Sequence, residues 1–262
     1  MDVDAYLDRI AAKRPATVDG PALAELHERH LAAVPFENLD IHLGVPIELD
    51  EDRLVAKVIG GRGGFCYELN GAFAALLRAL GAEVTLLSAG VYGPSGLGPP
   101  FDHMVLRVDL DEPWLADVGF GRHSIRPLRL SERGDQVDPG GTFRLVAAGG
   151  AAGSDAGGSA GGGDLDVLRD GTAQYRVEAR ARRLADYAPT CWWQQTWPSS
   201  HFRSGPVASV QTAAGQVTVA GRTLIRTVGT DRTETPLGSD AEVLAAYREH
   251  LGIELDRVPS LP

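Results

Sequence analysis

The sequence predicts an α+β fold, in which helices come first, strands follow and a mixed region closes the chain. Apolar residues recur at helical spacing through residues 1–82. Short alternating segments separated by turn residues fill residues 83–190. Residues 191–262 combine further strand-like segments with one terminal helix. We therefore expect three regions along the chain, with a mostly antiparallel sheet or small barrel in the middle.

Successive start and stop signals divide the first region into helices. The segment DVDAYLDRIAAK has apolar residues at helical spacing, and Pro21 occupies the first position of the next helix. Asp50 is placed to cap the segment EDRLVAKVIG, which Gly60 ends. A last helix begins near Cys66 and closes at Gly81. The connection VPFENLDIHLGVPIEL between these helices reads as irregular.

The second and third regions show strand patterns and one compositional anomaly. Five segments read as strands: EVTLLSAGVY, HMVLRVDL, WLADVGF, TFRLVAA and AQYRVEARA. Residues 147–163 are almost entirely small, so we expect a flexible insertion between strands. The stretch from CWWQQTW to RTVG suggests further strands and turns. A closing helix then runs from Ser239 or Asp240 to Gly252.

Charge and composition exclude several classes of function. The net charge of −10 argues against nucleic acid and against an anionic membrane surface as partners. We expect no secretory leader, and the sequence has no apolar run long enough to span a membrane. Two cysteines make no disulfide framework, and the absence of CxxC and HxxxH patterns predicts no metal site. We expect a cytoplasmic protein with reduced thiols, whose oligomeric state, monomer or homodimer, stays open.

Cys66 is the candidate nucleophile. It stands at a predicted helix start, where the helix dipole and free N–H groups favour a thiolate. Arg62 adds a positive charge four residues earlier, and glycines at 60, 61, 63 and 64 leave the thiol reachable. The competing interpretation is a small buried core residue, which is what most lone cysteines are. Cys191, between Thr190 and two tryptophans, lacks such features and is expected to be a buried structural thiol.

A thiol nucleophile needs a base and a group that orients the base. His27, His30 and His250 lie on predicted surface helices, whereas His103 opens a strand after a loop. If this strand and WLADVGF form a hairpin centred near Leu110, His103 falls opposite Asp117 on one face of the sheet. Asp117 would then fix the histidine tautomer and stabilise its charged form. A turn role for Asp117 and a one-residue change of register are the alternatives.

Four segments in this order resemble the arylamine N-acetyltransferase family: VPFENLDIHLG, RGGFCYELNGAF, HMVL and WLADVGFG. The resemblance covers essentially the whole chain. It implies a helical bundle at 1–82, an antiparallel β-barrel at 83–190 and an α/β lid at 191–262, around a Cys-His-Asp core of the cysteine-protease kind. The insertion at 147–163 is the main departure from the family pattern.

The resemblance also implies a reaction. Cys66 would accept the acetyl group of acetyl-CoA, with His103 as base, Asp117 as orienting acid and Arg62 tuning the thiol or bracing the turn. An arylamine, hydrazine or arylhydroxylamine would then take the acetyl group in a ping-pong cycle without a metal. We expect Cys66 and His103 to rest as a thiolate–imidazolium pair.

The substrate pocket is predicted from the same resemblance. The expected contacts with the amine are these: Phe36, Gly119, Phe120 and Phe202. The phosphates of CoA predict basic side chains or free N–H groups at the mouth of the cleft, and the loop GPSGLGPP is one candidate for this position.

Three other functions are compatible with parts of this pattern. An amide synthase of the same superfamily would close a macrolactam from a carrier-bound acyl chain with the same three residues. A cysteine hydrolase or transglutaminase-like enzyme shares the order Cys-His-Asp, although the Arg-Gly-Gly-Phe-Cys segment disfavours it. A non-catalytic binding protein would be expected to lack one of the three residues.

Overall fold

The computed structural model describes residues 1–149 and 163–261, and the α+β class predicted from the sequence is confirmed. The predicted insertion at 147–163 falls mostly on residues 150–162, which lie outside the described residues. None of the described helices is both long and apolar enough to cross a membrane.

Helices with capped starts make up most of the N-terminal region. Its elements are α1 (Val3–Arg9), α2 (Gly20–Ala33), β1 (Phe36–Glu37), α3 (Leu39–Leu43), α4 (Glu51–Ile59) and α5 (Cys66–Ala79). The carboxylates of Asp2, Asp19 and Asp50 each accept a hydrogen bond from a backbone N–H in the first turn of their helix. These bonds satisfy donors that a helix start leaves unpaired.

An antiparallel sheet that curls into a nearly closed barrel forms the centre of the chain. Its strands are β2 (Glu83–Gly93), β3 (Gly96–Leu97), β4 (His103–Asp109), β5 (Pro113–Ala116), β6 (Leu128–Arg129), β7 (Gln136–Asp138), β8 (Gly141–Ala147), β9 (Leu165–Arg169) and β10 (Thr172–Arg182). Their order across the sheet is β6-β5-β4-β2-β10-β9-β8-β7, and β3 folds back on β2. Inward-facing apolar side chains, including those of Phe143 and Tyr175, fill the interior.

A second antiparallel sheet and one helix close the chain. The elements are a 3₁₀ helix (Leu184–Tyr187), α6 (Ala188–Thr196), a 3₁₀ helix (His201–Arg203), β11 (Val207–Thr212), β12 (Gly215–Ala220), β13 (Thr223–Val228), β14 (Asp231–Pro236) and α7 (Asp240–Leu251). The order of this sheet is β1-β11-β12-β13-β14. Strand β1 therefore belongs to the C-terminal sheet, with Phe36 paired to Ser209. Helix α7 follows its prediction, since Ser239 caps it and Gly252 ends it with φ of 65°.

The segment CWWQQTW forms helix α6, where the sequence suggested strands and turns. The tryptophans favoured a strand by propensity, but Pro189 in the first turn begins a helix. Cys191 and Gln194 point inward from this helix. Trp192, Trp193 and Trp197 are exposed.

The prediction that His27 and His30 are solvated is wrong, because both side chains are fully buried. They lie on the same stripe of α2 as Leu23, Leu26 and Leu31. Nε2 of His30 lies 3.0 Å from the Tyr6 hydroxyl. Burial, together with the neighbouring His27 and Arg9, lowers the pKa of His30 to about 3. The neutral imidazole is therefore the form that the folded chain accommodates.

Acid is expected to destabilise the fold through His30. Its pKa is about 3 in the folded chain against 6.5 when unfolded. The unfolded chain therefore binds more protons in this window, and stability is lost as pH falls from about 6.5 towards 3. We expect the free energy of unfolding to fall by roughly 2–3 kcal/mol through this group between pH 7 and 4.5.

Urea unfolding at the two pH values measures this loss. His30→Leu should reduce the pH dependence by that amount. His250→Leu, at a residue that is not fully buried, is the control for the substitution itself. Equal pH dependence in the wild type and His30→Leu would contradict the assignment.

Candidate active site

Cys66 occupies the first residue of α5, as the sequence predicts. A side chain of the first turn stabilises the helix start, since Oε2 of Glu68 accepts the Phe65 N–H at 3.1 Å. The thiol is free and 3% exposed. It lines a cleft, and the turn before it, residues 60–65, separates α4 from α5.

This turn is joined by backbone hydrogen bonds to the segment around β1. The Glu37 N–H donates to the Gly64 carbonyl at 2.9 Å, and the Gly64 N–H donates to the Pro35 carbonyl at 3.3 Å. A Cβ atom at Gly63 would lie 1.8 Å from the Pro35 carbonyl oxygen. The glycine is therefore required by close backbone approach, which is a more specific reason than general access to the thiol.

A network of buried ion pairs also stabilises this turn, residues 60–65. Arg62 donates from Nε to Oε1 of Glu37 at 3.0 Å and from Nη2 to Oδ1 of Asp40 at 2.8 Å. Nζ of Lys57 lies 2.6 Å from Asp40 and 2.6 Å from Glu68. Burial raises the pKa of Glu68, although Lys57 opposes it. The cations therefore engage carboxylates that flank the nucleophile turn.

Strands β4 and β5 form the predicted hairpin with a different register. Leu106 pairs with Ala116 and Asp109 with Pro113, so the hairpin is centred on Asp111 and not on Leu110. Asp117 follows the end of β5. The offset from the predicted register is two residues, which keeps His103 and Asp117 on the same face.

His103 and Asp117 are hydrogen-bonded as the sequence predicts. Nε2 of His103 donates to Oδ2 of Asp117 at 2.8 Å, and both side chains are buried. This bond leaves Nδ1 as the ring nitrogen that faces other partners. The His103 ring packs edge-on against Phe120, with centroids 5.1 Å apart.

Asn70 and His27 fix Asp117, and sequence reasoning assigned neither a role. Nδ2 of Asn70 donates to Oδ1 of Asp117 at 3.0 Å and to the Met104 carbonyl at 2.7 Å, while its Oδ1 accepts from the Val118 N–H at 3.0 Å. Nε2 of His27 accepts the Asp117 N–H at 3.2 Å. Asn70 lies one helical turn after the nucleophile, and this spacing is the signal that could have found it.

Burial and charge set the protonation of these groups. Burial raises the pKa of Cys66 well above its ordinary value, the carboxylates of Asp117 and Asp102 add to this, and the Met104 backbone opposes it. Burial also opposes ionisation of Asp117, but the neighbouring His103 holds the pKa of that carboxyl below its usual range. This rise in the pKa of Cys66 opposes the resting thiolate that the sequence predicts.

A cleft of about 610 Å³ opens over Cys66 and His103. Four further residues predicted as contacts also line it: Phe36, Gly119, Phe120 and Phe202. Asp117 lies behind His103, and Arg62 lies in the ion network below the turn. The predicted loop lines the rim with residues 93–99.

The cleft also contains residues that the sequence did not single out. Asp102 and His201 line it. Outside the lining, Tyr175 of the barrel interior packs against His103 with ring centroids 5.4 Å apart. Cys191 is buried on α6, beside Gln195, which fits the predicted structural thiol. No group of three or more metal-ligating side chains is found among the described residues.

Comparison with known proteins finds one family of relatives. The family model described as N-acetyltransferase matches residues 19–259. The arylamine N-acetyltransferase of Escherichia coli K12 is 37% identical over 207 residues, which cover 76% of this chain and 69% of the relative. That of Mycolicibacterium smegmatis is 32% identical and covers 97% of this chain and 93% of the relative.

Solved structures of similar proteins share the whole fold. A cysteine-to-glutamine variant of the Mycobacterium smegmatis N-arylamine acetyltransferase has a TM-score of 0.84 at 31% identity, covering 97% of this chain and 93% of that one. The Mycobacterium marinum arylamine N-acetyltransferase in complex with CoA has a TM-score of 0.82 at 29% identity, covering 96% and 93%.

Gly119 is expected to tolerate no side chain. A Cβ atom there would lie 2.7 Å from the Cys66 Cα and 2.6 Å from Nδ2 of Asn70. Gly119→Ala should therefore lower Tm by about 5 °C. It should also slow the alkylation of Cys66 by iodoacetamide by roughly tenfold, since it displaces the wall of the cleft.

Gly93→Ala is the matched control, because a Cβ atom at this rim position meets nothing within 4 Å. Calorimetry and mass spectrometry of the alkylated protein supply the two readouts. Wild-type values for Gly119→Ala would show that the contact is relieved without cost.

Proposed function

This chain belongs to the arylamine N-acetyltransferase family, and we propose that it transfers an acetyl group from acetyl-CoA to arylamines, arylhydrazines or hydrazides. The supporting observation is the joint placement of Cys66 and His103 in one cleft, with Asp117 hydrogen-bonded to His103 from behind. A thiol, a base and an orienting carboxylate are the parts that acyl transfer through a covalent intermediate requires.

Each residue has one role in this proposal. Cys66 is the nucleophile, and its sulfur forms the bond to the acetyl carbon. His103 is the base, acting through Nδ1, because Nε2 is occupied by Asp117. Asp117 stays ionised, since its pKa is held low, and it stabilises the imidazolium that forms. Asn70 and His27 keep the Asp117 carboxylate aimed at the ring.

The first half of the cycle acetylates Cys66. Because burial raises the pKa of the thiol, its proton passes to His103 as the sulfur attacks the thioester carbonyl of acetyl-CoA. The tetrahedral intermediate then expels the CoA sulfur, which takes the proton from His103. Acetyl-Cys66 and free CoA remain.

The second half transfers the acetyl group to the amine. The amine nitrogen attacks acetyl-Cys66, His103 accepts the proton that the nitrogen releases, and the carbon–sulfur bond breaks. The proton returns to Cys66, and the N-acetyl product leaves. The ping-pong order follows because both halves use the same sulfur.

The walls of the cleft supply the binding surface. Phe36 and Phe202 lie with ring centroids 6.3 Å apart, and Phe120 packs on His103. We assign the aromatic ring of the acceptor to this apolar surface, where Gly119 permits close approach. The cleft lining contains no Lys or Arg among the described residues, so backbone N–H groups of the rim loop are our candidates for contact with CoA.

Arg62 braces the nucleophile turn in this proposal. Its guanidinium is paired with Glu37 and Asp40. Burial opposes the charge of Arg62, but these two carboxylates raise its pKa. We further propose that the chain is divided into a bundle at 1–82, a barrel at 83–190 and a lid at 191–262, and that its location is cytoplasmic.

Acetyl-CoA alone is expected to acetylate the protein once, at Cys66. Mass spectrometry of the intact protein and of its peptides measures the added mass, which is about 42 Da when one acetyl group replaces a hydrogen atom. Cys66→Ser is the control for position, and Cys191→Ser should be modified like the wild type. An adduct on Cys191, or no adduct in the absence of amine, would sink the mechanism.

Asp117→Asn is expected to lower kcat/KM for acetyl transfer by roughly a thousandfold or more, because an amide neither fixes the required tautomer nor stabilises the imidazolium. Asp138→Asn, which removes a carboxylate that accepts backbone N–H groups outside the cleft, should retain activity. Steady-state kinetics with a panel of arylamines and hydrazides supply the comparison. Near wild-type turnover by Asp117→Asn would remove Asp117 from the mechanism.

A further inference from the structure

The cleft carries one negative charge that the acetyl-transfer mechanism does not use. Among the described residues that line it, Asp102 is the acidic side chain, and neither Lys nor Arg is present. The remaining surface is mainly aromatic, glycine and proline, with Cys66 and two histidines. An unpaired carboxylate in such a lining dominates the local electrostatic potential.

The position of Asp102 is fixed by its neighbours. It directly precedes His103, and its N–H donates to the Pro99 carbonyl at 3.3 Å. A Cβ atom at Gly98 would lie 2.7 Å from Oδ2 of Asp102, so the carboxylate rests against the bare backbone of the rim loop. The residue before it, Phe101, has φ of 63° and is held by the Ser88 hydroxyl oxygen, which accepts its N–H at 2.9 Å.

Nearby cations leave this carboxylate uncompensated. Arg182 lies over the Phe101 ring, 4.7 Å from its centroid, but its guanidinium is paired with Glu178. His201 also lines the cleft, and burial lowers its pKa while Asp102 opposes that lowering. Burial raises the pKa of Cys66 and of Tyr67, and the same carboxylate adds to both shifts. The charge of Asp102 therefore acts on both the thiol and His201.

We propose that Asp102 sets the charge preference of the cleft. Neutral and cationic acceptors, and uncharged acyl groups, reach Cys66, whereas a ligand with a negative charge near the reacting carbon or nitrogen is disfavoured. Repulsion between two like unit charges about 7 Å apart, at an intermediate dielectric, slows the reaction of an anionic ligand by about fivefold. The phosphates of CoA escape this penalty, because the pantetheine arm is longer than the Debye length of about 8 Å.

Asp102 thus narrows the substrate class. Asp102→Asn should raise kcat/KM for an arylamine with a ring carboxylate, such as p-aminobenzoate, more than it raises kcat/KM for the methyl ester. A malonyl group should load Cys66 more slowly than an acetyl or propionyl group. Hydrazines and hydrazides gain from the same carboxylate, since it accepts hydrogen bonds from their additional N–H groups.

The charge preference is measurable without any acyl transfer. Iodoacetamide and iodoacetate alkylate a thiol by the same displacement of iodide, but iodoacetate is anionic. Mass spectrometry gives the rate of each reaction at Cys66, and we take the ratio of the two rates relative to that of a free thiol such as N-acetylcysteine. A change in the thiol pKa alters both rates together, so the ratio reports the charge effect alone.

We expect the wild type to favour iodoacetamide, and Asp102→Asn, which keeps the shape, to reduce that ratio by about fivefold. Asp111→Asn is the matched control, because it removes an equal charge from the exposed β4–β5 turn. Added NaCl should lower the ratio of the two alkylation rates in the wild type and leave that of Asp102→Asn unchanged. The wild-type part of this measurement needs no variant.

Three results would each overturn the assignment. They are an equal alkylation ratio in the wild type and Asp102→Asn, a wild-type ratio that does not depend on salt, and no alkylation of Cys66 by either reagent. The acceptor preference also rests on the proposed acetyl transfer, so kcat/KM for p-aminobenzoate and its methyl ester forms the second arm. A shifted alkylation ratio without any acetylation would sink the proposed function and leave the charge preference standing. Acetylation with an unshifted alkylation ratio would overturn the charge preference and leave the proposed function standing.

Discussion

The Asn70 side chain joins three segments that each carry part of the site. It stands on α5 one turn after Cys66, and it bonds to the Met104 carbonyl beside His103 and to Asp117 and Val118 after β5. A single buried amide thus sets the distance between the helix and both arms of the hairpin. Because each of its polar atoms is satisfied within the core, moving any one segment leaves a buried group unpaired, which costs about 1–3 kcal/mol.

The sequence predicted the parts of the site that depend on local geometry. The helix start at Cys66 follows from a glycine turn and an apolar stripe, and the contact of His103 with Asp117 follows from the alternation of side chains in a hairpin. The register was wrong by two residues, yet the contact survived, because side chains two positions apart share a face. The order of helices, barrel and closing sheet was also predictable from the change in periodicity.

Features that depend on contacts between distant segments were not predictable. His27 looked solvated from its own helix, but the turn at Ile125 covers it, and Nδ1 of His27 donates to that carbonyl at 2.8 Å. Arg62 was assigned to the thiol by proximity in sequence, whereas its ionic partners lie some 20 residues earlier, at Glu37 and Asp40. Helix α6 was missed because tryptophan propensity outweighed the proline at its start.

The two-residue strand β1 connects the turn before the nucleophile to the C-terminal sheet. That turn is bonded to Glu37 and Pro35, and Phe36 and Glu37 pair with Ser209 and Ala208. A fragment that ends before β11 would therefore leave β1 without its strand partner. A truncation at the far end of the sequence would thus act on the nucleophile through two short sets of backbone hydrogen bonds.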